Sequence, residues 1–410
     1  MKTYIILDQK NYFKGNFHEF YNPKEKRFVF ILNDRYYSLF PDEYKNIFDE
    51  LVHVKTLNFK EIKPIIEKEI KLASSKENVF IVCTRECDLL LAAELREYFN
   101  LKGPKPTQIN PFRNKIVMKN ILKENNIRVP SFQKLSNELK DNKYLASKFS
   151  DLSFPQVLKP IEGEGSKNTY IIKDIQHFID IIEYNDIDLD VYELEEFIEG
   201  DFYHCDSVVI NGEILISEVS KYTYPNLMIM HGKNVGSLIL DEEDPVRNKV
   251  LEFNSKVLNA LNTPDCVTHL ELFLTKENEL VFIEIAARPA GGGIVPSIRD
   301  AIGLDFNKIM YQIQFGDPIE ISAFKQRKYA GWIKFPKTDG IVKKINIPSL
   351  QSEANIQWLV DINQEVKNTT ISYEVAGIIN LSSDIKEYVE NDMKLLKQFK
   401  GVEITSDSIG

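Results

Sequence analysis

A chain of 410 residues is longer than one hydrophobic core fills, so several domains are expected. Its 43% hydrophobic and 27% charged residues exclude a disordered or fibrous chain, and a formal net charge of −10 argues against nucleic acid as a partner. Apolar runs such as Tyr4-Ile5-Ile6-Leu7 are far too short to span a bilayer, and the N-terminus runs straight into a strand-like segment without a signal-peptide core. A cytoplasmic protein with no membrane partner is therefore expected. The four cysteines, Cys83, Cys87, Cys205 and Cys266, are too few for a disulfide framework and lack the spacing of a zinc site, so they read as reduced thiols.

Along the chain, β-rich runs at 4–7, 28–32, 52–54 and 79–82 alternate with polar or amphipathic stretches. That alternation predicts a parallel α/β layer, an N-terminal domain over 1–110. A helix is expected over 88–99 with Asp88 as its N-cap. Pro104, Pro106 and Pro111 punctuate a linker, followed by a helix over 115–125. A smaller subdomain is placed at 111–196, mostly of strands after Phe154, and a larger one at 197–323. A C-terminal α+β unit, 324–410, carries mixed strands and a late helix over 385–399.

Two basic segments precede a glycine-bearing loop. Lys115 opens a helix against the helix dipole, which is unfavourable unless an anion is near, although a solvated lysine is the ordinary alternative. Lys159 ends the strand Val157-Leu158-Lys159, and Glu162-Gly163-Glu164-Gly165-Ser166-Lys167-Asn168 follows. The loop amides and Ser166 suit phosphate oxygens, with Lys159 as fixed charge, but no Walker A pattern is present and a plain hairpin loop fits too. Further on, Glu195-Glu196-Phe197-Ile198-Glu199-Gly200 runs from a strand into a glycine turn, an edge that could face an adenine.

The strands 267–273 and 280–286 form a predicted hairpin turning at Glu277-Asn278. Pairing residues whose numbers sum to 555 sets Glu271 across from Glu284 and Phe273 across from Phe282. Opposed carboxylates are unfavourable without a cation or proton between them. Oxygen-only ligation points to Mg²⁺, completed by water and phosphates, with two solvated glutamates as the alternative. Arg288 shares their face if the strand continues, and Gly291-Gly292-Gly293 brings backbone amides close to an anion ahead of a helix near Val295.

In this order the segments resemble the ATP-grasp superfamily: Arg113-Asn114-Lys115, Val157-Leu158-Lys159-Pro160 with its loop, Glu195-Glu196-Phe197-Ile198-Glu199-Gly200, Tyr203-His204-Cys205-Asp206, His269-Leu270-Glu271 and Glu284-Ile285-Ala286-Ala287-Arg288-Pro289. The His-x-Glu and Glu-Ile-x-x-Arg forms resemble the carboxylate-amine ligases that include L-amino acid ligases. The resemblance implies an α/β and α+β multidomain fold: a Rossmann-like pre-ATP-grasp domain, a two-subdomain ATP-grasp fold and a C-terminal mixed subdomain. It implies ATP phosphates on Lys115, Lys159, Gly163, Gly165 and Ser166, with an adenine hinge at Glu195, Glu196, Phe197 and Ile198. Glu271 and Glu284 would hold Mg²⁺, with Mn²⁺ as an alternative, and Glu284 and Arg288 would be catalytic. His231, Arg288 and Gly292 would bind substrate.

Three positions depart from the family pattern. Phe202 stands where a ribose-binding glutamate is common, with His204 or Asp206 as substitutes. Ala286 replaces an asparagine ligand, and Asn168 replaces the last glycine of the loop. The function implied is ATP-dependent activation of a carboxylate as an acyl phosphate and its transfer to an amine, both small molecules, with amino acids on either side. A bicarbonate-using carboxylase and a non-catalytic nucleotide-binding regulator are the alternatives, and a homodimer is left open.

Overall fold

The computed structural model describes residues 1–7, 19–20, 22–42, 48–140, 149, 152–319, 321 and 327–405. The expected boundary between 323 and 324 falls outside them. The fold is mixed α/β, as the sequence implied.

The first sheet contains β1 (Lys2–Ile6), β2 (Lys26–Asn33), β3 (Glu50–Val54) and β4 (Val79–Val82), all parallel, in the order β3-β2-β1-β4. Its strands are near-continuous apolar runs because both faces are covered. Ile5, Val29 and Ile81 enter one core, while Tyr4, Phe28 and Phe30 enter another. Helix α1 (Phe59–Leu72) is capped by Asn58, whose side chain accepts from the Glu61 amide. Helix α2 (Leu89–Tyr98) differs from expectation at its start. Asp88 makes no capping bond there and instead pairs with Arg85 at 3.3 Å.

Helix α3 (Lys115–Glu124) is capped by Asn114, which accepts from the amides of Ile116 and Val117. A second sheet follows, antiparallel, in the order β5-β8-β6-β7: β5 (Phe132–Lys134), β6 (Gln156–Pro160), β7 (Tyr170–Ile172) and β8 (Tyr192–Glu196). Its own core joins Leu158 and Leu194 to Phe178 of helix α4 (Ile175–Tyr184).

The largest sheet is antiparallel at every pairing and carries β9 (Asp201–Ile210), β10 (Glu213–Tyr222), β11 (Val235–Ile239), β12 (Cys266–Leu274), β13 (Leu280–Ala286) and β14 (Tyr329–Phe335). Of the last strands, β15 (Gly340–Ile345), β17 (Glu365–Val366) and β19 (Val402–Thr405) make a small sheet. In contrast, β16 (Glu353–Trp358) and β18 (Gly377–Ser383) extend the large one, ordered β13-β12-β9-β10-β11-β14-β18-β16. Four strands separate β13 from β14 in that order, yet Trp332 of β14 packs on Gly292 and Gly293 just past β13. A Cβ at Gly293 would lie 2.6 Å from Trp332, so the sheet curls into a trough that only glycine lets close.

The hairpin register is met in part. Glu271 faces Glu284, but Phe273 faces Val281 and not Phe282, because the register shifts after Glu271. Ile283 is left unpaired as a β-bulge, which turns the pairing by one residue. Helix α5 (Pro245–Ala260) backs the sheet, α6 (Ile294–Ile302) starts one residue before the predicted Val295, and α7 (Phe306–Phe315) follows. The late helix, α8, spans Lys386–Gln398. Among the described residues no helix is long and apolar enough to cross a membrane.

Candidate active site

Between the second sheet and the trough lies a cavity of about 680 Å³. Eleven of the expected residues line it: Lys115, Lys159, Gly163, Gly165, Ser166, Glu195, Glu196, Phe197, Ile198, Glu271 and Glu284. Arg288, Gly292, His204 and His231 do not.

On the lysine side, β6 and β8 run antiparallel with Lys159 opposite Glu193. Lys159 Nζ pairs with Glu195 at 2.5 Å, and Lys119 on α3 reaches Glu193 at 2.8 Å and Glu195 at 2.7 Å. All four charges are buried. Burial alone would lower the Lys159 pKa, but Glu195 and Glu193 outweigh it and hold the amine charged well above its ordinary range. Glu195, expected to face adenine, thus spends its carboxylate on lysines while still lining the cavity. The Lys119 and Glu193 partners escaped sequence reading, although a signal was present. Lys115 and Lys119 share a helix face four residues apart, and Glu193 and Glu195 share a strand face.

The loop arches over Lys115, whose Nζ donates to the Gly163 carbonyl at 2.9 Å and pairs with Glu284 at 3.3 Å. A carboxylate of the protein, Glu284, thus meets the lysine at this helix start. Gly165, Ser166 and Asn168 all take positive φ, at +62°, +56° and +56°. Asparagine tolerates that region best after glycine, so Asn168 does not prevent the loop from turning.

The two opposed glutamates differ in surroundings. Glu271 Oε1 accepts from Tyr222 Oη at 2.8 Å and Asn226 Nδ2 at 2.7 Å, and His269 Nε2 lies 3.3 Å away. None of these engages Oε2, which remains for a cation shared with Glu284, an all-oxygen donor pair that fits a hard divalent ion. Sequence alternation sent Ile283 to the opposite face from Glu284, whereas the bulge lets both line the cavity. Phe202, in the place of the usual glutamate, also lines it and stacks on Tyr222, ring centroids 5.0 Å apart.

His204, expected at the ribose, is instead fully buried on the trough face beside Tyr222. It bonds Asp206 at 2.6 Å and Ser237 at 2.8 Å, and Ser237 Oγ also accepts from Trp332 Nε1 at 2.7 Å. Asp206 in turn holds His269 Nδ1 at 2.8 Å, making a buried chain of side chains that ends at Glu271. Against the burial that would lower it, Asp206 and Glu271 raise the His269 pKa to about 10, so its imidazole is a cation at neutral pH. Among the described residues His204, Asp206 and His269 are the cluster with metal-ligand spacing, but their bonds to one another already satisfy them.

Arg288 lies in a narrow cleft beside the cavity with Glu284, Lys115, His269, Arg113 and Glu86. Glu86, from the loop between β4 and α2, accepts from Arg288 Nε at 2.7 Å and from Arg113 Nη1 at 2.7 Å. Burial pushes the Glu86 carboxyl up, but Arg288 and Arg113 prevail and hold it below its usual range. Gly292 sits against Trp332, and His231 ends the 3₁₀ turn Asn226–His231.

Comparison with known proteins agrees with this geometry. A family model described as an ATP-grasp domain matches residues 152–297. The chain is 30% identical over 342 residues to the L-arginine-specific L-amino acid ligase of Bacillus subtilis, covering 80% of each. It is 22% identical over 275 residues to the alanine–anticapsin ligase of Bacillus subtilis strain 168, covering 61% of this chain and 56% of that one. The crystal structure of an L-amino acid ligase from Bacillus licheniformis superposes with a TM-score of 0.76 at 18% identity, covering 100% of this chain and 99% of the other. By these relatives the chain, whose cavity is walled by two lysines, a glycine-bearing loop and paired carboxylates, belongs to the ATP-grasp superfamily, in its L-amino acid ligase branch, and is an ATP-dependent carboxylate-amine ligase.

Proposed function

We propose that the protein joins two amino acids through an acyl phosphate, with Mg²⁺ as the divalent cation. The observation that carries this reading is the meeting of Lys115, Lys159, Glu271 and Glu284 in one cavity with Arg288 in the adjoining cleft. A cation held by Glu271 and Glu284 would neutralise charge on the triphosphate. Lys159 and Lys115 lie where they can hold phosphate oxygens, and the 163–168 loop can exclude water from the reacting atoms.

A carboxylate oxygen of the first amino acid attacks the γ-phosphorus, and the bond to the β–γ bridging oxygen breaks, releasing ADP. The amine of the second amino acid then attacks the acyl carbon and loses a proton as the acyl C–O bond breaks and phosphate leaves. Arg288 and His269 supply fixed positive charge near the developing oxyanion, where it is worth more than in water. No side-chain nucleophile takes part.

The test is phosphate release from Mg·ATP across pairs of the common amino acids, with hydroxylamine present in parallel. ADP and an acyl hydroxamate of one amino acid are expected. AMP with pyrophosphate would replace the mechanism by adenylation, and phosphate release driven by bicarbonate alone would transfer the function to carboxylation.

A further inference from the structure

Lys334 stands apart from every other buried cation of the site. Arg113 and Lys115 each hold both a carboxylate and a backbone carbonyl, while Lys119 and Lys159 share Glu193 and Glu195. Lys334 is 6% exposed and makes no hydrogen bond or ion pair among the described residues. Its nearest relations are the Trp332 ring, 5.6 Å from Nζ to centroid, and the attraction of Glu271 across the trough.

The sheet register fixes where the side chain rises. Trp332 pairs with Ser237 and Lys334 with Val235, so the two side chains stand on the trough face that also carries Glu271. An ammonium buried without a counter-ion is unfavourable, and packing does not need one at the end of a lysine stem. Burial lowers the Lys334 pKa to about 8, and Glu271 offsets only part of that, yet the amine remains mostly charged at neutral pH. Lys334 lines neither the cavity nor the cleft, but it stands on the sheet face that carries Glu271, and a charge kept there without a partner is completed by an anion that arrives with a ligand.

We propose that Lys334 anchors the carboxylate of the amine-donating amino acid. The inference rests on the ligase reading, which calls for two carboxylates with different fates. One is consumed by phosphorylation, near the phosphate-side lysines Lys115 and Lys159. The other persists unchanged through the reaction and must lie in a trough where Glu271 would repel it. Lys334 rises from the β14 wall, next to the Trp332 that packs on the glycine turn following Arg288. There it offsets Glu271 and leaves the donor amine free to reach the acyl carbon. Amines without a carboxylate are then poor partners for the enzyme.

The experiment compares the wild type with Lys334→Met and Lys334→Arg, using each amine-donating amino acid and its amide. The wild type is expected to favour the acid over the amide by about tenfold or more in KM, the worth of a charged hydrogen bond. Lys334→Met should lose that preference through a higher KM for the acid alone, with the KM for ATP unchanged, and Lys334→Arg should keep part of it. An undiminished acid preference in Lys334→Met overturns the proposal. Melting temperatures with saturating Mg·ADP decide the same point without turnover, so an absence of phosphate release with every pair would count against the ligase reading alone. Stabilisation by the acid but not the amide, present in the wild type and lost in Lys334→Met, supports the anchor. Equal shifts in both proteins, or none in the wild type, overturn it.

Discussion

The square of Lys119, Lys159, Glu193 and Glu195 holds two positive and two negative charges away from water, which is tolerable only while each keeps its partners. Lys119→Met leaves one lysine to serve two buried carboxylates. A loss of about 3 kcal/mol is expected in chemical denaturation, together with a higher KM for ATP, because Lys159 is drawn toward Glu193. At the opposed carboxylates the repulsion relieved is set against partners lost, the His269 cation for Glu271 and Lys115 for Glu284, so Glu271→Gln and Glu284→Gln should still fold, with a melting temperature only modestly lowered. Phosphate release should nevertheless fall by about a hundredfold or more, and near-normal turnover in both variants would remove the metal assignment. Lys334 gives a pH signature of its own. Its folded pKa, about 8, lies below the ordinary 10.5, so folding expels a proton and the burial penalty is fully present below pH 8. The penalty fades as pH rises from 8 to 10.5. Lys334→Met should therefore be more stable than the wild type at pH 7, by on the order of 3 kcal/mol at most, with the advantage disappearing by about pH 10.5 in denaturation curves.

Among the elements, the 163–168 loop is held from both sides in its first half. Lys115 grips the Gly163 carbonyl from below, and the Ser372 amide donates to the Gly165 carbonyl at 3.1 Å from the C-terminal side. A Cβ at Gly165 would meet the Tyr373 ring at 3.2 Å in a backbone conformation that strains L residues. Gly165→Val should accordingly lower kcat by an order of magnitude or more while leaving the melting temperature within a few degrees of normal. Limited proteolysis of the wild type should cut between 162 and 168, and Mg·ATP should protect. How far such elements can be read from sequence depends on how local their cause is. The parallel strands were legible because both faces are apolar, whereas Glu271 meets Glu284 only because the bulge offsets pairs nearer the turn that sit one residue off the expected register. The bulge at Ile283 was not legible, since the one-residue shift has no composition of its own. Nor were Glu86 and Lys334, because the contact of Glu86 with Arg288 spans 202 positions and Lys334 meets the site only once the sheet curls.

At the scale of the molecule, the N-terminal sheet is joined to the catalytic part by apolar packing, by polar ties such as Lys26 to Asp317 and Gln314 to the Cys83 backbone, and by the Glu86 carboxylate. Tyr311 and Phe315 of α7 enter the same core as Tyr4, Phe28 and Phe30, and Tyr4 Oη donates to the Phe315 carbonyl at 2.8 Å. Glu86 carries the same junction into the active site by bracing Arg113 and Arg288. Glu86→Gln would leave the buried guanidinium of Arg113 and the half-buried one of Arg288 without the carboxylate they share. A loss of about 3 kcal/mol is expected, with kcat falling more than the KM for ATP rises. A variant as stable as the wild type would contradict the bracing role.

If the proposed function holds, the pairing of Lys115 with Glu284 sets how the cation and the nucleotide assemble. Until a divalent cation arrives, each of these residues neutralises the other, so neither is fully available to its eventual ligand. On the proposed function a cation on Glu284 would displace the lysine toward the phosphates, and a triphosphate on Lys115 would likewise bare Glu284 for the cation. The two ligands are therefore thermodynamically linked through one ion pair, beyond their attraction for each other. Whatever factor the cation contributes to nucleotide affinity, the nucleotide must return to cation affinity. The unliganded enzyme is thus held in an internally neutralised resting state that discriminates against either ligand alone.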